Sequence, residues 1–360
     1  MGVSQIVIND AEQIESMLVE EEYSHEAIQF TKDDIADLFD KAAITVFCDV
    51  LGVPLPGCIE IRLVRDKEPV ENIWWQSIMM ASMSVGKSCF DHFVFNITEF
   101  MFRSIIDKED NGYFVRVALH EMMHAADLCL VKEGFGILDE IRLNYQNYYL
   151  INGRGQQNPF EVLYDTIHLL LHYRYEGIAL LGEHLLSKRE LFRKQYNLDD
   201  FLSQVSSICG KAEAWIDGVP IDYDSFKNEH HYAYNIAMDV LLHIMLNGNK
   251  IGKIEFERLM EGFSTGKHDF TETEVQAIIR CALSVDIKAY LHGLLTLAPD
   301  GNTVAPKDLI LKFVKAWKNK YEHETESTLF PSSIIDNLYE LEKTFAELIM
   351  LSENMTNFAK

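Results

Sequence analysis

The chain has 360 residues, enough for a sizeable core and for two lobes, and its 48% apolar and 24% charged residues are the proportions of an ordinary globular protein. A formal net charge of −24 works against non-specific binding to nucleic acid or to anionic membrane surfaces; it could favour a basic peptide or protein partner, although the commoner role of such a charge is simply solubility. No run of about eighteen apolar residues occurs, so no membrane-spanning helix is expected.

The start, Met1 to Glu12, lacks the basic residues and continuous apolar core of a signal peptide. Cys48, Cys58, Cys89, Cys129, Cys209 and Cys281 are scattered without a C-x-x-C pair, which reads as reduced thiols rather than a disulfide frame. Together these features predict a cytoplasmic protein, with export by a route needing no signal left open.

Residues 1–30 are acidic and weakly patterned, and a loosely packed lead-in with one short helix near 10–21 is expected. From Thr31, an N-cap candidate, Ile35, Leu38, Phe39, Ala42, Ala43, Val46, Phe47 and Val50 recur at helical spacing. Gly52 and Pro54 end that helix. Cys58–Arg65 alternates apolar and polar residues as a half-buried strand does, and His92–Thr98 is a second strand candidate. Between them, Trp74–Met83 is read as strand in preference to helix.

Residues 115–130 follow, and contain His120-Glu121-Met-Met-His124 in a largely apolar helix. Histidines four apart stand one above the other on a helix, so both imidazoles can address one zinc ion while Glu121 sits beside them. This is the H-E-x-x-H pattern, in which the carboxylate takes a proton from water activated by the metal. The plainer alternative is a buried His/Glu cluster satisfied by hydrogen bonds. The order helix, small sheet, motif helix would set His120 and His124 beneath a sheet edge to which an extended peptide can add as a strand.

Beyond the motif, Gly134 and Gly136 mark a turn and Asn152–Pro159 a loop. A helix is predicted from Pro159 to about Ser187. Asp217–Asp224 breaks the chain, and helical segments are expected near 230–247, 252–263, 271–295, 306–321 and 332–356. Nothing after residue 100 reads as a strand. The domain expectation is therefore a lead-in over 1–30, an α+β lobe over 31–135 and a helical lobe over 136–360.

A catalytic zinc ordinarily takes three protein ligands and keeps one position for water. The third candidate is Glu176, in Tyr173-Arg-Tyr-Glu176-Gly177-Ile-Ala179, where Gly and Ala inside a bulky helical run suit close helix packing. An exposed glutamate on an amphipathic helix is the competing explanation.

His120-Glu121-x-x-His124 followed by Glu176-Gly-x-Ala179 resembles the gluzincin branch of the zincin metallopeptidases, chiefly over residues 58–185. The resemblance implies a zincin-like α+β fold, in which a small N-terminal sheet and its helices pack on a larger all-helical C-terminal lobe with the active site between them. It implies His120, His124 and Glu176 as ligands of Zn2+, Glu121 as general base, and a peptide or protein substrate. His230-His231-Tyr232-Ala-Tyr234-Asn-Ile-Ala237 is similar to the helix start that carries the oxyanion donor in aminopeptidase-like gluzincins. Tyr234 is the first candidate and His231 the second, with aromatic core packing the competing role.

The chain departs from the pattern in two places. The interval from His124 to Glu176 is longer than in thermolysin-like members, and Leu180 stands where an aspartate often follows the third ligand. Asp127 could take over the orientation of an imidazole, with surface solvation as its alternative. His168 and His172 share a helix face with Glu176, as an outer layer around the metal, a second metal site or a polar stripe.

Two other function classes compete. One is a helical dinuclear phosphohydrolase-type protein using His120, His124, Asp127, His168 and His172. The other is a non-catalytic zincin-like binding protein.

Overall fold

The computed structural model describes residues 5–9, 32–64, 81–83, 92–98, 112–130, 159–187, 198–216, 219, 236–267 and 269–297, with a few isolated positions beyond. Among them, helix predominates, and a small four-stranded sheet accounts for the strands. Two compact units are built from interleaved stretches of chain. The first takes in 1–130, 178–193 and 258–283, and the second 131–177, 194–257 and 284–360.

In the first unit the strands are β1 (Gln5–Asn9), β2 (Cys58–Val64), β3 (Ala81–Met83) and β4 (His92–Thr98), in the order β1-β2-β4-β3. β1 and β4 both run parallel to β2, and β3 lies antiparallel to β4 at the edge. The two strands expected at Cys58–Arg65 and His92–Thr98 are present. Of Trp74–Met83 only Ala81–Met83 is described, and it is strand.

β1 is a strand within the stretch expected as a loosely packed lead-in, where no strand was anticipated. Ile6, Val7 and Ile8 are three β-branched residues in succession, stiff in the way a pleated strand requires, and pairing with β2 supplies the tertiary support that local pattern does not reveal. The short helix expected near 10–21 lies outside the described residues.

Helix α1 (Lys32–Ala43) carries Asp33 and Asp34 in its first turn, where the helix dipole favours negative charge. It continues as a widened π-type segment, Ile44–Leu51, and Gly52 ends it in the left-handed conformation at φ 68°, which glycine adopts without steric cost. Its apolar stripe covers the sheet. Phe39 meets Phe95 with ring centroids 5.1 Å apart, and Phe47 meets Phe93 at 5.9 Å. Ile59 and Ile61, paired with those phenylalanines across β2 and β4, complete the buried layer. The π-type segment is pinned from another side, because the Arg280 side chain donates to the Val50 carbonyl.

The motif helix, α2 (Gly112–Leu130), packs against α1 and touches β3. Its residues Ala118, Leu119, Met122, Met123, Ala125 and Ala126 are buried. α3 (Pro159–Leu186) is one unbroken helix, and its residues from Ile178 onward belong to the first unit. From Arg258 onward α6 (Lys253–Thr265) also belongs to this unit and contributes Leu259 and Phe263 to the core, and α7 (Glu272–Leu283) contributes Val275, Ile278 and Ile279.

The second unit holds the earlier part of α3, α4 (Leu198–Ile216), α5 (residues 236–247) and α8 (Ile287–Thr296). Tyr173 of α3 meets Phe201 of α4 edge-on at 5.1 Å. The fully buried Arg174 donates from Nε to the Val285 carbonyl at 2.8 Å, ahead of α8.

The helix expected over 271–295 is two helices. Asp286 interrupts it as an N-cap whose carboxylate accepts from the Ala289 backbone N–H at 2.7 Å, so the chain stops and restarts. α4 was not expected, although Phe201, Val205, Ile208 and Cys209 recur at helical spacing and are buried. The segments near 306–321 and 332–356 lie outside the described residues except for isolated positions. No helix among the described residues is long and apolar enough to cross a membrane.

Candidate metal centre

His120 and His124 come from the middle of the largely apolar α2, with His120 buried and His124 half-buried. His120 is 6% exposed and Glu121 3%. Their Nε2 atoms face each other 3.1 Å apart, with the rings edge to face. Two nitrogens bound to one tetrahedral zinc, each about 2.0–2.1 Å from it, stand about 3.3 Å apart. The imidazoles are thus already at the spacing that a shared ion demands.

Glu176 on α3 completes a set of three. One ligand atom from each of His120, His124 and Glu176 lies within 4.8 Å of the others. Two imidazoles and a carboxylate form a donor set suited to zinc. Glu176 is buried, which removes the reading of it as a solvated surface glutamate. Asp127, one turn beyond His124, is also buried and so is not a surface group.

The small residues after Glu176 have separate tasks. A side chain at Gly177 would come within 2.7 Å of the Ala237 carbonyl oxygen, so Gly177 lets α5 approach α3 beside the glutamate. Gly182, five residues further along α3, lies against the Met123 side chain of α2. The expected close helix packing is present, but it is Gly182, rather than Gly177, that faces the motif helix.

Glu183 was not among the residues anticipated from sequence. Its Oε2 is 3.1 Å from His120 Nδ1, and its Oε1 accepts from Arg116 Nε at 2.8 Å and Nη2 at 2.6 Å. Burial acts to raise the pKa of the Glu183 carboxyl, but the hydrogen bonds and charges of His120 and Arg116 outweigh it and hold the group below the ordinary carboxylate value. The available signal was positional: Glu183 lies two turns after Glu176 on one helix face, and Arg116 one turn before His120.

Four carboxylates, those of Glu121, Asp127, Glu176 and Glu183, are buried along α2 and α3. Buried carboxylates are costly unless paired or bound to a metal: Glu183 is paired with Arg116, and the point where His120, His124 and Glu176 meet could hold a metal ion.

Tyr234 and His231 lie outside the described residues, as do the side chains of His168 and His172 within α3. Ala237, three residues beyond Tyr234, is the residue whose carbonyl abuts Gly177. No protein-family model, no curated protein and no solved structure matches this chain.

Proposed function

We propose that the chain is a zinc-dependent metallopeptidase of gluzincin type, with His120, His124 and Glu176 holding the ion. The observation that carries this reading is the convergence of those three ligand groups within 4.8 Å, in the chemical set that a catalytic zinc takes. A bound zinc supplies Lewis acidity and makes a water nucleophilic at neutral pH.

The protein's own contribution is positional and protolytic. Glu121, next to His120 and buried, accepts the proton of the attacking water on its carboxylate and delivers it to the leaving amine. Tyr234 is the first candidate to donate to the developing oxyanion and His231 the second, and the packing of Ala237 on the residue beside Glu176 favours this stretch of chain. A peptide substrate is favoured by β3, the antiparallel edge strand in contact with α2, because an extended chain can add to such an edge. These features extend the reading to a zincin-like fold.

The test is Glu121→Gln, which keeps the size of the side chain and removes the base. Bound zinc is expected to stay at one per chain while hydrolysis of a peptide library falls about 10²–10⁴-fold. An unchanged rate rejects Glu121 as the base, and two bound metals per chain would favour the dinuclear alternative.

A further inference from the structure

The His120 imidazole is held from behind. Its Nε2 faces His124, and its Nδ1 lies 3.1 Å from Glu183 Oε2, while the other oxygen of that carboxylate takes both Arg116 donors at 2.8 and 2.6 Å. The group is enclosed as well as connected, with the Glu183 side chain 9% exposed and that of Arg116 30%. Arg116 stands one helical turn before His120, so α2 supplies the ligand and also the cation that fixes the carboxylate orienting it.

We infer that Glu183, anchored by Arg116, is the positioning residue of the metal centre: it accepts the His120 Nδ1–H, selects that tautomer and aims the Nε2 lone pair at the ion. This inference rests on the metallopeptidase reading of the same site.

The physical reason is that a neutral imidazole has one N–H and one lone pair, and the hydrogen bond at one nitrogen decides which end is left to bind metal. A carboxylate acceptor also raises the basicity of the ring, and loss of such a partner typically costs 10–100-fold in metal affinity. Leu180, one turn after Glu176, has no group able to accept this hydrogen bond. Glu183 reaches the ring from one turn further along α3. Gly182 makes the approach possible, since it lies against Met123 in the turn of α2 that carries the histidines.

The experiment compares wild type, Glu183→Gln and Arg116→Gln, with His120→Ala as reference. Zinc dissociation constants are measured by competition with a chromophoric chelator, and the His120 ring is followed in the metal-free protein by 15N–1H correlation spectra. Glu183→Gln is expected to weaken zinc binding 10–100-fold, and Arg116→Gln to weaken it less. In wild type the His120 proton is expected on Nδ1, and in Glu183→Gln in a mixture of tautomers.

A purely structural role for Glu183 would lower the melting temperature but leave the tautomer and the zinc constant as in wild type, and that result overturns the inference. If Glu183→Gln does not fold, the Arg116→Gln spectra and zinc constant decide the matter in the same way. Wild-type binding that is unaffected by His120→Ala overturns the metal site itself. Binding that His120→Ala abolishes and Glu183→Gln leaves intact removes only the role of Glu183.

Discussion

At the scale of single residues, the protein concentrates costly groups where they can answer one another. His120, Glu121 and His124 were legible in the sequence because their spacing is a property of the helix, and no tertiary information is needed to put them on adjacent turns. Glu176 was legible through its small neighbours. Glu183 was not, because one glutamate among 56 acidic residues carries no local mark. Only its contact with two residues some sixty positions earlier distinguishes it. Tyr234→Phe tests the oxyanion assignment: it removes the donor and keeps the ring. A drop of about 10²–10³-fold in kcat, with zinc content unchanged, is expected if the hydroxyl serves the transition state. An unchanged kcat passes the role to His231 or removes it from this segment.

At the scale of elements, α3 links the site to its support. A side chain at Gly177 would meet the Ala237 carbonyl oxygen at 2.7 Å, and one at Gly182 would meet the Cγ of the fully buried Met123 at 2.4 Å, so neither neighbour gives way without cost. Overpacking costs about 1–3 kcal/mol, against about 1 kcal/mol gained when alanine replaces glycine in a helix. Gly177→Ala and Gly182→Ala are therefore each expected to lose up to about 2 kcal/mol in urea unfolding. A gain in stability at either position would contradict this account of the packing.

The start of α7 provides a pH test. Thr271 and Glu274 form a reciprocal capping box, and Arg258 reaches Glu274 Oε1 at 2.9 Å. Hydrogen bonding to the Thr271 backbone N–H, then to Arg258 and the Thr271 hydroxyl, lowers the Glu274 pKa from 4.5 to about 2. A depressed carboxylate gives its full stabilisation above the unfolded-state pKa and loses it as pH falls through the folded value. The difference in melting temperature between wild type and Glu274→Gln is thus expected to be constant above about pH 5 and to shrink from there toward pH 2. A pH-independent difference would contradict it.

The same scale shows what local pattern conveys and what it omits. The apolar stripe of α1 and the strands β2 and β4 were readable because each buries one face. β1 depends on a partner distant in the chain, and its three β-branched residues were too short a run to stand out from an acidic stretch. The break at Asp286 was missed because the apolar periodicity resumes in nearly the same phase on both sides, while a side-chain cap ends one helix and starts the next.

For the whole molecule, the metal is expected to contribute to the stability of the folded chain, since the ligand set exists only when α2 and α3 are in place. A ligand bound to the native state alone stabilises it by about 2.7 kcal/mol at a hundredfold excess over its dissociation constant. Zinc is therefore expected to raise the melting temperature and a chelator to lower it, with His120→Ala responding to neither. The most direct test of the central claim is the zinc content and zinc dissociation constant of wild type against Glu176→Gln. The account predicts one zinc per wild-type chain and a large loss of affinity in the variant. Equal binding by the two proteins would show that Glu176 does not join His120 and His124 around the ion.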